Sequence, residues 1–343
     1  MDGRRTADGP TLFLTGGTGL LGSHAAETFR DRGWRIRAFV RPDSDLRFLE
    51  RTADEFVLGD LLRPETLRGA AEGCEAVLHA AAIVTAPADW ETHRLVNVEG
   101  TRLVLGECLR AGCPRFLHLS SVAVYGPPAA HASLPLDEEA ATDLPLEPRA
   151  HYERSKRMAE TVVRRAEGTA WTILRPAVVM GERDRSFTPR VARLADRRLV
   201  GMVGRGDNPL PVVYAGNVAH ACWLALTRPE ARGRIYNVAD DGELTQRQLL
   251  SEAAPDGAIL FPLPRAAVEG AVAALERLSP GGPDRPARLI DSRRTWFAGR
   301  PNPFLSRRIR EELGWEPVIP ALEGWRRAVG WHRRSARPAG AAA

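Results

Sequence analysis

The first half of the chain alternates short apolar runs with stretches of helical spacing. Thr11–Thr15 reads as a strand, 16–22 as a glycine loop and 23–32 as a helix. Arg35–Val40 alternates like a strand. Glu55–Leu58 and Ala76–His79 are shorter strands, with a helix expected between them from about Pro64. A long helix is expected over about 93–111, a strand at Arg115–Leu119, a helix over 151–166 and a strand over 171–174. Repeated β-α units of this kind predict an α/β fold, a doubly wound parallel sheet with helices on both faces.

Beyond Gly181 the pattern loosens as Arg, Pro and Gly become frequent. Residues 183–207 and 244–331 read as a smaller lobe, whereas Val212–Tyr214 and 235–238 read as short strands that return to the sheet. The stretch 127–149, rich in Pro, Ala and acidic residues, suits a loop. Residues 281–286 read as a linking segment and 333–343 as a disordered, low-complexity tail.

The 343 residues suffice to bury a sizeable core. A hydrophobic content of 44% and a charged content of 27% are ordinary for a soluble globular protein. The net charge of +5 is spread over alternating acidic and basic residues, and no basic run exceeds two, so nucleic acid is set aside as a partner. No apolar run approaches the ~20 residues that span a bilayer, which argues against stable membrane insertion. The first residues lead straight into Thr11–Thr15 and lack the apolar region of a signal peptide. Cys74, Cys108, Cys113 and Cys222 form no Cys-x-x-Cys pair, and neither they nor the eight histidines show metal-ligand spacing. Together these features point to a cytoplasmic protein without a metal centre.

Glycines at 16, 19 and 22 lie between the first strand and the first helix, in Thr15-Gly16-Gly17-Thr18-Gly19-Leu20-Leu21-Gly22. A tight turn needs positive φ, and a pyrophosphate must come close to bare backbone, so side chains are unwelcome there. The helix N-terminus beyond it offers free N–H groups and the positive end of its dipole. This context marks a Rossmann dinucleotide-binding fold, with Gly16, Thr18, Gly19, Leu20, Leu21 and Gly22 as cofactor-binding candidates. On this reading 10–181 with 212–240 form the NAD(P)-binding domain, and 182–211 with 241–332 a smaller, mainly C-terminal lobe for a small-molecule substrate.

An NAD site usually places a carboxylate at the end of the second strand for the ribose 2′-hydroxyl; here Arg41 stands there. A guanidinium pairs with a 2′-phosphate, which favours NADP(H) over NAD(H). The alternative is a solvated arginine in an arginine-rich chain. Asp60, followed by Leu61, is placed to accept from an adenine amino group, and Ala80, Ala81 and Ala82 let backbone run under the cofactor. His79 reads as packed rather than catalytic.

The densest chemistry is Ser121, Tyr152 and Lys156. Spacing of i, i+4 puts Tyr152 and Lys156 on one helix face. A tyrosine normally titrates near ~10. A neighbouring ammonium favours the phenolate, so the phenol trades a proton with a substrate oxygen near neutral pH. Ser121 would hydrogen-bond the same oxygen as charge develops.

These motifs, in this order, resemble the extended short-chain dehydrogenase/reductases, also called the NAD-dependent epimerase/dehydratase family. The resemblance runs from about Thr11 to Trp331. It takes in Asn97-Val98-Glu99-Gly100-Thr101, Ser120-Ser121-Val122-Ala123-Val124-Tyr125-Gly126, Leu174-Arg175-Pro176, Asn217-Val218-Ala219-His220-Ala221 and Tyr236-Asn237-Val238. It implies that Ser121 rather than Ser120 is catalytic, that Asn97 supports a proton relay, and that Pro176 and the backbone of Val178 border the nicotinamide. It also implies a homodimer through paired helices, with 93–111 and 151–166 as candidates.

Dehydratases of the family look for Asp-Glu after the catalytic hydroxyl, where this chain has Val122-Ala123. Nucleotide-sugar epimerases usually carry Asn and Tyr after Arg-Pro, where this chain has Val178 and Met180. Arg37-Ala38-Phe39-Val40-Arg41-Pro42, Gly204-Arg205-Gly206-Asp207-Asn208-Pro209 and Leu313-Gly314-Trp315-Glu316-Pro317 are more similar to the 3β-hydroxysteroid dehydrogenase-like and dihydroflavonol-reductase-like branches. Residues 262–278 resemble the amphipathic helix that those branches place over the substrate, and Trp296, Phe297 and Phe304 are candidates for an apolar pocket or for core. The resemblance thus implies an NAD(P)-dependent oxidoreductase that moves a hydride between nicotinamide and a ketone or secondary alcohol of a mainly apolar small molecule. A nucleotide-sugar epimerase and a non-catalytic NADP-sensing protein are the alternatives, and the intact Tyr152/Lys156 pair stands against the second.

Lys156 is also the only lysine among the 48 Lys and Arg residues. The arginine excess fits codon bias in a GC-rich genome. The exception falls where a compact ammonium, not a planar guanidinium, is required beneath the phenol. Lys156→Arg is therefore expected to fold and to lose most of its turnover; near-wild-type kcat in the purified variant would reduce the exception to chance.

Overall fold

The computed structural model describes residues 9–84, 89–240, 244–278 and 292–335. The expected link at 281–286 and the end of the expected tail, 336–343, lie outside them. The elements in chain order are β1 (Thr11–Thr15), α1 (Leu20–Arg30), β2 (Arg35–Val40), β3 (Glu55–Leu58), β4 (Ala76–His79), α2 (Trp90–His93), α3 (Gly100–Arg110), β5 (Arg115–Leu119), α4 (His151–Arg164), β6 (Ala170–Pro176) and β7 (Val178–Met180). They continue with α5 (Phe187–Ala195), β8 (Leu199–Val203), β9 (Val212–Tyr214), α6 (Ala215–Thr227), β10 (Arg234–Val238), α7 (Gln246–Ala253), β11 (Ile259–Leu263), α8 (Arg265–Leu278), α9 (Ser292–Ala298), α10 (Arg307–Leu313) and α11 (Ala321–Ser335).

Seven of the described strands form one sheet in the order β3-β2-β1-β4-β5-β6-β10. All its pairings are parallel. This is the doubly wound order, with its switch point between β1 and β4. Thr15, the last residue of β1, lies opposite His79, the last of β4. Both strands therefore release their chains at the same place.

Strand β1 shows why the sheet is covered on both faces. Leu12 and Leu14 join a layer with Ala25, Ala26 and Phe29 of α1 and Ala221 and Cys222 of α6. Phe13 belongs to the opposite layer, with Val104 and Cys108 of α3 and Val163 of α4. Successive side chains of a strand point to opposite faces, so an unbroken apolar run demands two covering layers. Met180, Val191, Val200, Met202, Leu249, Leu250, Trp325 and Ala328 gather β7, α5, β8, α7 and α11 around a separate core. Among the described residues, no helix is long and apolar enough to cross a membrane.

Local structure departs from the sequence pattern in several places. Helix α1 begins at Leu20, not at 23, because Gly19 sits extended before it as its N-cap. The helix expected from Pro64 is a single 3₁₀ turn, Pro64–Thr66, since Gly69 and Gly73 take φ of +84° and +71° and stop any continuation. The helix expected over 93–111 is a run of α2, a π-helical segment at Arg94–Glu99, and α3. Strand β10 returns to the large sheet, but β9 does not: it pairs with β7. The cause is visible in the backbone, where Ala177 N–H still bonds the Val238 carbonyl while Val178 N–H turns to that of Pro211. The stretch 262–278 divides into the end of β11, which pairs with β8, and α8. Residues 333–335 of the expected tail complete α11, where Arg333 donates to the carbonyls of Glu252, Ala253 and Ala254. Phe304 is core, 3% exposed, with its ring stacked 5.9 Å from that of Tyr125.

One ion pair is fully enclosed between sheet and helix. Arg175 of β6 and Glu160 of α4 are 1% and 4% exposed. They meet as a fork, Nε to Oε1 at 2.9 Å and Nη2 to Oε2 at 2.6 Å. Ser120 Oγ donates to the same carboxylate at 2.5 Å, and Arg175 Nη1 donates to the Tyr125 hydroxyl at 2.8 Å. Deleting one partner strands the other charge, so Glu160→Ala is expected to cost about 3–5 kcal/mol of unfolding free energy in urea titration. A loss below about 1 kcal/mol would show that the pair behaves as a solvated one.

Candidate active site

Strand β1 delivers the chain to Gly16, whose φ of +72° suits glycine. A Cβ there would lie 2.5 Å from the Ala81 nitrogen, and one on Gly22 2.2 Å from the Gly16 carbonyl oxygen. The turn closes with Gly19 N–H donating to that carbonyl at 3.0 Å. Thr18, Leu20 and Leu21 are half-buried around an exposed Gly19. Helix α1 starts with no side-chain cap and no acidic residue in its first turn. Bare backbone, a positive dipole end and no competing carboxylate are what a pyrophosphate requires, so these residues fit a dinucleotide.

The other cofactor candidates border this turn or follow neighbouring strands. Ala80, Ala81 and Ala82 follow β4 and are half-buried, the first two against Gly16. Arg41, just past β2, is exposed, and its Nε lies 3.5 Å from Asp43. A surface pair of that kind is weak, so the guanidinium can turn to a phosphate at little cost. Asp60 lies beyond β3, where its Oδ1 accepts from Leu62 N–H at 2.9 Å, and Leu61 is buried. Pro176 closes β6. The Val178 N–H is engaged by the Pro211 carbonyl at 2.9 Å, so it is not a free donor for a nicotinamide amide.

Helix α4 carries Tyr152, Lys156 and Glu160 at successive intervals of four, along one face. Lys156 is 2% exposed. Burial pushes its amine down to about 8, against the opposing pull of Glu160. Its Nζ donates to the Leu119 carbonyl at 2.6 Å and lies 3.5 Å from His118 Nε2. Tyr152 is half-buried one turn earlier, its ring 6.5 Å from that of His93. Ser121 leaves the end of β5 and caps the 3₁₀ turn Val122–Tyr125. Its Oγ accepts from Ala123 N–H at 3.1 Å, which leaves the hydroxyl proton to donate.

Asn97 sits in the π-helical segment, a distortion that often marks functional sites. Its Oδ1 accepts from Ile83 N–H at 2.8 Å, and its Nδ2 donates to the Ile83 carbonyl at 3.0 Å and to Ser155 Oγ at 2.9 Å. The side chain is thus a strut between α4 and the chain beyond β4. Two residues that motif reading overlooks stand beside Lys156. Glu160 extends the Tyr152/Lys156 spacing by one more turn, and His118 is a polar, fully buried side chain between two apolar neighbours of β5.

A model of the NAD dependent epimerase/dehydratase family matches residues 12–239. The 4-hydroxy-2-methyl-3-oxo-4-farnesyl-3,4-dihydroquinoline-1-oxide ketoreductase of Stigmatella aurantiaca is 31% identical over 242 residues, covering 70% of this chain and 71% of that protein. The 2-alkyl-3-oxoalkanoate reductase of Stenotrophomonas maltophilia is 29% identical over 338 residues, 92% of this chain and 97% of that one. The UDP-glucose 4-epimerase of Thermotoga maritima, solved with UDP-glucose, has a TM-score of 0.71 at 22% identity, over 95% of this chain and 100% of its own. That last likeness shows the fold. The chain belongs to the NAD dependent epimerase/dehydratase family, the extended short-chain dehydrogenase/reductases, and is an NAD(P)-dependent enzyme of that type.

Gly22→Ala would press a methyl group onto the Gly16 carbonyl, where no flexible side chain can yield. The variant is expected to lose dinucleotide binding in a fluorescence titration with NADPH and to have a lowered Tm. Unchanged affinity would mean that this turn does not carry the cofactor.

Proposed function

We propose that this enzyme interconverts a ketone and a secondary alcohol on a mainly apolar small molecule, with NADP(H) preferred. The observation that carries the reading is the buried amine of Lys156, one helical turn from Tyr152 and near the end of β5 that leads into Ser121. A nicotinamide dinucleotide, its pyrophosphate held by the glycine turn, would supply or accept the hydride. In the reducing direction the Ser121 hydroxyl donates a hydrogen bond to the substrate carbonyl oxygen. Tyr152 gives that oxygen its proton as the carbon is reduced, and the Lys156 ammonium stabilises the phenolate left behind. Asn97 and Ser155 hold α4, and with it the angle of both groups.

The finer points rest on separate observations. The exposed Arg41 supports a 2′-phosphate. Val122-Ala123 after Ser121 leaves no acid and base for water loss. The names of the two relatives describe reductases of keto compounds that bear farnesyl or alkyl groups, which supports an apolar ketone over a nucleotide sugar. Within the family this corresponds to the 3β-hydroxysteroid dehydrogenase-like branch, with the cofactor held by 10–181 and 212–240 and the substrate by 182–211 and 241–332.

Purified protein with NADPH is expected to reduce members of a panel running from alkyl 3-oxoalkanoates to steroid ketones, faster than with NADH. Tyr152→Phe is expected to lower kcat by about 10²–10⁴-fold. Epimerisation of a UDP- or dTDP-sugar, with no ketone reduced, would overturn the reading.

A further inference from the structure

Beneath Lys156 lies a buried pair of histidines to which the mechanism assigns no part. His118 of β5 and His79 of β4 are 0% and 1% exposed, and their rings stack 5.5 Å apart at 29°. The tautomer of His79 follows from its neighbours. The Thr101 hydroxyl donates its proton to the Asn97 carbonyl at 2.6 Å, so at 3.0 Å it can only accept from His79 Nε2–H. Nδ1 of His79 then accepts from the Thr15 hydroxyl at 2.7 Å. His79 is therefore neutral and satisfied at both nitrogens, and burial holds its pKa down, to about 3.

His118 differs. Its Nε2 faces Lys156 Nζ at 3.5 Å, while its Nδ1 is buried and has no hydrogen-bond partner among the described residues. Burial, the Lys156 ammonium and the neighbouring His79 all oppose its protonation. A neutral ring that accepts at Nε2 carries its proton on Nδ1, where nothing receives it. An orphaned buried N–H destabilises the fold, and a leucine or phenylalanine between Leu117 and Leu119 would avoid that. Packing alone therefore gives no reason for histidine at this position.

We propose that His118 is a positioning residue for Lys156: its neutral imidazole supplies an acceptor that holds the side-chain amine against the end of β5, one helical turn from Tyr152, and favours its charged form. The groups that act on this amine are His118 and the Leu119 carbonyl from β5, His79 behind them from β4, and Glu160 from its own helix. The catalytic consequence rests on the reductase reading above, but the contact itself does not. Removing the acceptor leaves a desolvated ammonium with the Leu119 carbonyl and the more distant Glu160, which disfavours charge and pulls the amine pKa down.

Because Lys156 is the only lysine, isotope labelling of lysine at Cε gives one lysine signal, whose NMR shift reports its titration without cofactor or substrate. The wild-type midpoint is expected at about 8. In His118→Phe it is expected to fall by about one pH unit or more, and in His118→Gln, whose amide oxygen still accepts, to stay within about half a unit. His118→Leu is the smaller apolar variant should the phenylalanine prevent folding. A folded apolar variant that titrates like the wild type would overturn the proposal. On any ketone that the wild type reduces, His118→Phe is expected to lower kcat about tenfold with KM unchanged, and His118→Gln to recover it. A protein that reduces no ketone sinks the reductase reading, and the titration still decides the role of His118.

Discussion

A lysine amine taken into a protein interior gives up its hydration, and only acceptors already in place offset that cost of several kcal/mol. Around Lys156 three elements supply what is needed. The end of β5 contributes the Leu119 carbonyl and His118, α4 contributes Glu160 one turn further on, and β6 contributes Arg175 to balance Glu160. Ser120 also donates to Glu160, and Ser121 is the next residue. The ion pair that fixes α4 against the sheet thus fixes the start of the turn that presents the serine hydroxyl. The positions of the Tyr152 phenol, the Lys156 amine and the Ser121 hydroxyl all depend on one enclosed charge pair rather than on surface loops.

The same dependence reaches the glycine turn. Thr15 precedes Gly16 and bonds His79, His79 bonds Thr101, and Thr101 bonds the carbonyl of Asn97. Asn97 in turn holds Ser155 on α4, next to Lys156. A continuous hydrogen-bonded seam therefore joins the glycine turn, the π-helical segment and helix α4 across the switch point of the sheet. On the proposed mechanism such a seam would tie the hydride and proton positions to a single frame, and orientation of that kind is a large part of what an enzyme contributes to rate.

Much of this was legible in the sequence because it is local. Each strand of the large sheet is a short apolar or alternating run, the glycine turn follows from the need for bare backbone, and Tyr152 and Lys156 share a face by spacing alone. What was not legible depends on partners distant in sequence or on backbone angles. The helix after Pro64 fails at Gly69 and Gly73, whose positive φ no periodicity reveals. The π-helical turn around Asn97 keeps the side-chain pattern of an ordinary helix closely enough to hide in it. Val212–Tyr214 has the pattern of a strand but not the identity of its neighbour, and Val178 claims it. Arg175 and Glu160 are charges in a family motif and on a helix, and nothing short of the fold pairs them. The lone lysine in an arginine-rich chain was visible from composition, and the structure gives it a physical setting: a buried site that admits an ammonium and provides its acceptors.

Net hydride transfer at a keto carbon, guided by the Tyr152 and Lys156 pair, is the central step of the proposed reaction. It is tested most directly by a single turnover with NADPH carrying deuterium at both C4 positions of the nicotinamide, on a ketone that the protein accepts, followed by mass spectrometry of the product and cofactor. The expected result is one deuterium on the carbinol carbon for each cofactor oxidised. Unlabelled product, or an isomerised substrate with the cofactor left in its starting redox state, would contradict it.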